Sequence, residues 1–559
     1  MKRILTMIIM LLLTYGLSAQ EQKHVVFLKD KNNNPYTLTN PSAFLTQRSL
    51  DRRIKSAILL DIKDLPVTPS YVTQIAATGA VVVYSLKWFN AVVVNTNDPA
   101  VLSAIAALPF VDHLDQVLPK NPVQVPANSG MMHMDEIPPY TLYKPLPVNI
   151  TKSTGSFNYG QAYNQVHMIT LDALHNLGFS GQGMMIAVLD AGFYHVDQIS
   201  AFDSLWLNNR ILGTRDFNLP GNNVFGDNMH THGTSVLSIM GGNLPGQMVG
   251  TAPNASFWLI RTEAGEYESL IEEYNWAGGA EFADSLGVDV INSSLGYTIF
   301  DNPVYNHTYA DMDGNTTPVT RAADLATSRG IMVVNSAGND GNKSWHYIGA
   351  PADGDSVLSI GAVDASGTYA SFSSTGPTYD RRIKPDVTAQ GQGTTVVDGG
   401  GWVVQGSGTS FSSPVVAGAM ACLWQSVQTF SAQVLRDAVR STASRALSPD
   451  SLYGYGIPNM MNAMLLLSTT QTLQEAQHGY SLFPVPFAGS PWIKNDRKNP
   501  EQVKIEILSV TGQVIGVRNI YMNTSSTMAL NDFDGMPSGL YFVRIISNSG
   551  QQILRAIKL

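Results

Sequence analysis

The chain has 559 residues, of which 44% are hydrophobic and 14% are charged, and its formal net charge is −9. This composition indicates several packed globular domains and excludes a long disordered protein. The negative charge, with lysines and arginines dispersed along the chain, argues against nucleic acid as a partner. The single cysteine, Cys422, cannot form an internal disulfide, and its apolar neighbours predict an inert core residue.

Residues 1–19 have the pattern of a secretory signal peptide. Lys2 and Arg3 precede an apolar run at residues 4–13, and the small residue Ala19 lies at the expected cleavage point. That run is too short to span a bilayer, and no other segment is long and apolar enough. We therefore expect an exported protein without a transmembrane span.

Residues 20–118 predict a small α+β domain. Strands are expected at 24–28, 80–86 and 90–94, and helices at 69–77 and 99–107, because short apolar runs alternate with helical patterns. A basic patch formed by Arg48, Arg52, Arg53 and Lys55 predicts a solvated helix face, with a processing site as the alternative. Residues 119–155 follow as a linker, because seven prolines between 119 and 147 show no periodicity.

Residues 156–470 alternate strand and helix patterns. Strands are expected at 185–189, 256–260, 288–291, 331–334 and 357–363, and helices after His232, at 272–286 and at 320–329. The strands read as continuous apolar runs, which is typical of parallel strands buried on both faces. The predicted fold class is therefore α/β, a doubly wound and mostly parallel sheet with helices on both sides.

Four stretches of this domain carry polar residues where catalysis would need them. Asp190 ends a buried strand, His232 opens an apolar helix, and Asn339 lies in a Gly/Asn loop after another strand. Ser410 begins a further apolar helix, and Pro414 is expected in its first turn. Unpaired N–H groups at a helix start favour a developing oxyanion, although serine is also a common helix cap. A serine nucleophile needs a base, an orienting carboxylate and preorganised donors, and the chain offers one of each.

In this order the four stretches resemble the subtilisin-like serine peptidases, the subtilases, with further matches at residues 250–253, 294–296 and 384–387. The likeness covers roughly residues 156–465. It implies that Ser410 is the nucleophile, His232 the general base and Asp190 the residue that orients the imidazole. It also implies an oxyanion site made by the Asn339 amide and the Ser410 N–H, and chemistry that needs no cofactor.

The resemblance also implies a substrate groove and a zymogen. Two small-residue segments would flank the P1 side chain and favour an apolar one, namely Ser294, Leu295, Gly296 and Ser336, Ala337, Gly338. The domain at 20–118 would be an inhibitory propeptide, with an ordinary structural domain as the alternative. Maturation would then cleave between the linker and about residue 159.

Residues 311–315 form a short acidic stretch. Residues 311–315 have some calcium-loop character, but they lack the twelve-residue spacing and the acidic terminus, so a solvated turn is favoured. Since many subtilases bind structural calcium, a calcium loop stays as the alternative. We expect no catalytic metal ligand in the chain.

Residues 478–559 switch to short alternating strands with glycine turns, which predicts a small β-sandwich. The segments 482–487, 509–514 and 538–545 resemble the C-terminal sorting domains of type IX secretion substrates, although Val485 replaces the usual Asn. A generic carbohydrate- or protein-binding module is the alternative. The secretion machinery would therefore be a partner of this domain, and the product would be secreted or anchored at the cell surface.

The sequence as a whole predicts a monomeric secreted serine endopeptidase that acts on protein or peptide substrates. One alternative is a catalytically silent surface binding protein that keeps the fold. Another is a serine hydrolase that acts on esters. The presence of all four catalytic residue types disfavours the first, and the strand-pairing segment at 294–296 disfavours the second.

Overall fold

The computed structural model describes residues 22–118, 157–265, 267–475, 479–497, 499–509, 513–547 and 550–559. The signal peptide, the linker and the expected maturation site lie outside these residues. None of the helices in the described ranges has the length and apolar character needed to span a membrane.

The N-terminal domain is an antiparallel four-stranded sheet with helices beside it. The strand order is β2-β3-β1-β4. Its helix α2 begins at proline, which suits a first turn because that position needs no N–H. The elements are β1 (Lys23–Leu28), α1 (Gln47–Lys55), α2 (Pro69–Ala77), β2 (Val81–Leu86), β3 (Ala91–Asn95), α3 (Pro99–Ala106) and β4 (Val111–Leu118).

The prediction of a solvated basic face on α1 is wrong for two of its four residues. Arg52 and Arg53 are buried, and both guanidinium groups pair with Asp284 of the central domain, at 2.6 and 2.9 Å. Lys87 pairs with the same carboxylate at 2.8 Å. A buried charge is tolerated when a partner compensates it, and here the partner lies far away in the sequence.

The central domain is built on a parallel sheet of seven strands, in the order β13-β12-β11-β10-β5-β9-β6. The predicted α/β fold is confirmed. The strands are β5 (Met185–Asp190), β6 (Ile211–Asp216), β9 (Ser256–Arg261), β10 (Val290–Ser293), β11 (Met332–Ser336), β12 (Leu358–Val363) and β13 (Val387–Gln390), with two hairpins formed by β7 (Asn243–Leu244), β8 (Met248–Val249), β14 (Thr394–Val397) and β15 (Val403–Gly406).

Helices cover both faces of this sheet. On one face the helices that begin at His232 and Thr409 belong to a core that extends into the C-terminal domain. On the other face the helices that begin at Ile271 and Pro318 share a core with the N-terminal domain. The helices are α4 (Tyr163–His167), α5 (Leu171–Asn176), α6 (Asp203–Leu207), α7 (His232–Gly241), α8 (Ile271–Leu286), α9 (Pro318–Ser328), α10 (Thr409–Ser426), α11 (Ala432–Ser441) and α12 (Met460–Glu475). Cys422 is buried in α10, as predicted, and burial raises the pKa of its thiol.

Pro414 does not lie in the first turn of α10, so that prediction is wrong. It is the sixth residue of the helix, where proline removes the N–H that would bond to the carbonyl of residue 410. The Ser294 hydroxyl donates to that carbonyl instead, at 2.9 Å. The missing bond is thus replaced by a side chain from the loop after β10.

The C-terminal domain has two antiparallel sheets, in the orders β16-β17-β20 and β19-β18-β21-β22. This agrees with the predicted β-rich sandwich. Its strands are β16 (Tyr480–Phe483), β17 (Trp492–Asn495), β18 (Glu501–Leu508), β19 (Val514–Met522), β20 (Thr527–Ala529), β21 (Gly539–Ser547) and β22 (Gly550–Lys558). Apolar residues of both sheets are buried together and belong to the core that covers one face of the central sheet.

Candidate active site

Asp190 and His232 lie together at the carboxyl edge of the sheet. Asp190 ends β5, and His232 is the first residue of α7. The imidazole Nδ1 and Asp190 Oδ1 are 2.8 Å apart, and both side chains are buried. The same carboxylate oxygen accepts the backbone N–H of Ala191 at 2.8 Å, which fixes its orientation. This geometry leaves the other imidazole nitrogen, Nε2, for proton transfer.

Pairing with Asp190 changes the pKa of the His232 imidazole. Burial by itself lowers the pKa of His232, but the Asp190 charge and hydrogen bond outweigh it, and the net pKa is raised. Close backbone packing is also required here, since a Cβ at Gly233 would lie 2.3 Å from the Gly192 carbonyl oxygen. The glycine after His232 therefore lets α7 start directly against the loop that follows β5.

Ser410 is the second residue of α10 and is almost fully buried, with 3% of its surface exposed. Its hydroxyl lies 3.4 Å from the Ser294 carbonyl oxygen, and no hydrogen bond joins it to His232 within the described part of the chain. The starts of α7 and α10 nevertheless lie close together: the ring centroids of His232 and Phe411 are 6.2 Å apart. A loose serine–histidine contact is common when no substrate is bound.

Asn339 is held with its amide nitrogen free of protein partners among the described residues. Its Oδ1 accepts the backbone N–H of Thr409 at 2.9 Å and the Thr409 hydroxyl at 3.0 Å. A backbone N–H can only donate, so the oxygen must face Thr409 and the NH₂ group must face away. The side chain therefore presents a donor next to the start of α10.

Two donors border one small space beside Gly408. A Cβ built on Gly408 would lie 3.4 Å from Asn339 Nδ2 and 3.8 Å from the Ser410 nitrogen. The Ser410 N–H belongs to the first helical turn, where backbone donors have no intrahelical acceptor. The absence of a side chain at Gly408 thus keeps open a space in which both donors can bind an anionic oxygen.

The predicted substrate segments lie beside this space. Ser294, Leu295 and Gly296 follow β10, and the Leu295 carbonyl accepts the Asn335 amide at 2.9 Å. The backbone N–H and C=O of Gly296 make no hydrogen bond to any residue that the structure describes, so both are available to an added strand. On the neighbouring strand, Ser336 ends β11 and is followed by Ala337 and Gly338.

Sequence reasoning missed two residues that support the site. The Nδ1 of His230 accepts the backbone N–H of His232 at 3.1 Å. Burial lowers the pKa of His230 to about 4, so its ring stays neutral and can accept that bond. Thr409 links the Asn339 oxygen to Gly338, whose N–H donates to the Thr409 hydroxyl at 3.1 Å. Neither role is visible from residue spacing.

The other polar residues near the site have local partners. His195 pairs with Asp227 at 2.7 Å and stacks on Tyr194. In the loop at 311–315, Asp313 Oδ1 accepts the N–H groups of Asn315 and Thr316 at 2.8 and 2.9 Å. These bonds close a turn, as the sequence interpretation favoured.

Known protein families match this chain in three regions. The model of the subtilase family matches residues 181–456, a Bacteroidota peptidase S8 propeptide domain matches 23–130, and a secretion system C-terminal sorting domain matches 481–558. Subtilisin E of Bacillus subtilis (strain 168) is 31% identical over 53% of this chain and 70% of its own length. Subtilisin DY of Bacillus licheniformis is 30% identical over 53% of this chain and 96% of its own. A crystal structure of MycP1 without its N-terminal propeptide aligns at 22% identity over 54% of this chain and 96% of that chain, with a TM-score of 0.42.

Proposed function

Because the chain belongs to the subtilase family of serine peptidases, we propose that Ser410, His232 and Asp190 are its catalytic triad. The observation that carries the proposal is the buried 2.8 Å contact between His232 Nδ1 and Asp190 Oδ1, with Ser410 at the adjoining helix start. In this scheme the Ser410 hydroxyl attacks the scissile carbonyl carbon while His232 Nε2 accepts its proton. Asp190 holds the imidazole tautomer and stabilises its positive charge.

The tetrahedral oxyanion would be bound by the Asn339 amide and the Ser410 N–H. Support comes from the space beside Gly408 that both donors border. His232 then returns its proton to the leaving amine, which yields an acyl-enzyme on Ser410. Water hydrolyses that ester by the same steps, with His232 as the base. The family catalyses this reaction without a cofactor, and these residues supply each proton transfer.

The substrate would be an extended peptide with an apolar P1 side chain. The unpaired backbone groups of Gly296 support strand-like binding, which an ester substrate would not need. The small residues Ala337 and Gly338 support a roomy apolar pocket. Profiling with a peptide library tests this directly, and exclusive cleavage after Arg or Lys would contradict it.

Residues 20–118 would act as the inhibitor of the zymogen, since the chain carries a peptidase S8 propeptide domain. The last strand of that domain, β4, touches the catalytic domain next to the groove. The Ser269 hydroxyl donates to the Val117 carbonyl and the Tyr305 hydroxyl to the Gln116 carbonyl, both at 2.7 Å. Cleavage within residues 119–155 would release a catalytic domain of residues 156–470.

The decisive experiment is labelling of the processed protein with a fluorophosphonate probe, with casein hydrolysis measured in parallel. We expect both signals in the wild type and neither in Ser410→Ala. Ser412→Ala is the matched control, because that buried serine lies two residues away and donates to the Thr409 carbonyl at 3.1 Å. Labelling that persists in Ser410→Ala, or that is lost equally in Ser412→Ala, would reject Ser410 as the nucleophile. No labelling of the processed wild type would favour a silent binding protein.

A further inference from the structure

Three glutamates form a buried acidic cluster outside the triad. Glu263 follows β9, Glu268 lies in the next loop, and Glu272 is the second residue of α8. Carboxylate oxygens of the three lie within 4.8 Å of one another. Only 2%, 5% and 1% of their surfaces are exposed, in that order. Three acids therefore share one space that bulk water hardly reaches.

Two of these carboxylates are held by neutral donors. Glu263 accepts the Tyr297 hydroxyl at 2.6 Å. Glu272 accepts the backbone N–H groups of Ala264 and Ser269, both at 2.8 Å. These bonds fix the positions of two carboxylates but do not compensate their charge.

The third carboxylate, that of Glu268, accepts no hydrogen bond from any described residue, although it is 5% exposed and faces the other two. No described lysine, arginine or histidine forms an ion pair with the cluster. Arg261, which precedes the cluster on β9, forms no ion pair with it: its guanidinium bonds Asp216 and the carbonyls of Ala191 and Ala264, each at 3.0 Å. Buried carboxyl groups in proteins are normally paired, coordinate a metal or hold a proton. Burial and the neighbouring acids raise the pKa of all three glutamates, which favours their protonated forms when no cation is bound.

We propose that Glu263, Glu268 and Glu272 bind a hard divalent cation, calcium in particular. Carboxylate oxygens are preferred calcium ligands, and two oxygens bound to one ion at about 2.4 Å lie at most about 5 Å apart. The 4.8 Å limit within the cluster fits that geometry. The bound ion compensates the charge that the protein leaves uncompensated.

Such an ion would stabilise the residues on one side of the proposed substrate groove. Tyr297, which donates to Glu263, directly follows Gly296 of the substrate-binding segment. Ser269, which donates to Glu272, also contacts Val117 of the propeptide domain. The cation thus ties the end of β9 to the start of α8 at the place where the last propeptide strand lies.

The test is thermal unfolding of the full chain carrying Ser410→Ala, which prevents self-digestion, in a chelator and in calcium. At a calcium concentration one hundred times its Kd we expect the Tm to rise by about 5 °C. Adding Glu268→Gln should abolish this rise. Because the Glu268 carboxylate accepts no hydrogen bond from the described residues, that variant should melt in chelator at or above the parent temperature.

Asp313→Asn is the matched control, since it removes an acid from the other candidate loop and should keep the calcium response. The proposal is overturned if calcium leaves the parent Tm unchanged, if the rise survives in Glu268→Gln, or if Asp313→Asn abolishes it. Equilibrium dialysis supplies a readout that does not depend on stability. Glu268→Gln should bind one calcium ion fewer per chain than its parent, and an equal number overturns the proposal. Neither measurement uses activity, so failure of the catalytic proposal would not affect them.

Discussion

Replacing Asp284 by asparagine tests whether the buried ion cluster anchors the propeptide domain to the catalytic domain. Asp284 lies on α8, and Arg52, Arg53 and Lys87 of the propeptide domain surround its carboxylate at 2.6, 2.9 and 2.8 Å. Burial alone would raise the pKa of Asp284, but the three cations outweigh it and hold that pKa far below its usual range. The cluster therefore stays ionised except in strong acid.

The expected loss of free energy follows from the cations that the substitution leaves unpaired. Asparagine keeps the shape of the side chain but removes the charge, so Arg52 and Lys87 remain buried without their counter-ion. Breaking a buried ion pair in this way costs about 3–5 kcal/mol. At about 1.4 kcal/mol for each factor of ten, the propeptide domain should detach about 10²–10⁴ times more often.

Trypsin digestion of the full chain in the Ser410→Ala background measures that opening, because cleavage follows the population of the detached state. We expect the propeptide band of Asp284→Asn to disappear at least about 100-fold faster, while the catalytic domain fragment stays equally resistant. Asp61→Asn is the control: Asp61 also bridges the domains, to Arg329 at 2.8 Å, but its side chain is 50% exposed. Such a pair is worth at most about 1 kcal/mol, or a fivefold change. Digestion of Asp284→Asn within threefold of the parent would refute the anchoring role.

Three further predictions concern the catalytic and sorting proposals. Gly408→Ala should lower kcat at least about 100-fold, the range measured for the oxyanion amide of subtilisin itself, because its methyl group fills the space beside Asn339. Gly393→Ala, also at a positive φ but with its nearest atom 3.9 Å away, should change only stability, and equal losses of kcat would contradict the assignment. The fall of kcat/KM toward low pH should have its midpoint above about pH 6.5, since activity needs neutral His232 and the pKa of His232 is raised. Asp190→Asn should move this midpoint to lower pH, and an unchanged midpoint would reject the pairing of His232 with Asp190. Deleting residues 480–559 should leave the protein in the periplasm, and normal export of the truncated form would exclude the sorting role.

The sequence predicted most of what depends on local pattern. The strand ending in Asp190 and the helices beginning near His232 and Ser410 were found because apolar periodicity and strand ends are local features. The parallel sheet followed from the alternation of these elements. Their assembly into one site came from the family resemblance, because spacing alone does not say which strand ends are neighbours.

Interactions between distant residues could not be predicted. Arg52 has the surroundings of an exposed helix residue in the sequence, and only its contact with Asp284, 232 positions later, makes burial favourable. The same holds for Glu263 and Glu268, which follow β9 in a polar stretch typical of a solvated loop. Their burial depends on Tyr297 and α8, which the fold brings to them. A charged stretch of sequence is normally solvated. A prediction of exposure from charge pattern is therefore wrong where the fold buries those charges beside a partner.

The position of Pro414 shows how a local rule can hold while the prediction drawn from it is wrong. Proline inside a helix costs about 3 kcal/mol, mainly because the carbonyl four residues earlier loses its hydrogen bond and the ring crowds it. The rule therefore favours the first turn. In this chain the carbonyl in question belongs to Ser410, and the Ser294 hydroxyl donates to it at 2.9 Å. The bond that the helix lacks is made by the proposed substrate-binding segment, so the proline couples the position of the proposed nucleophile to the residues that would bind its substrate.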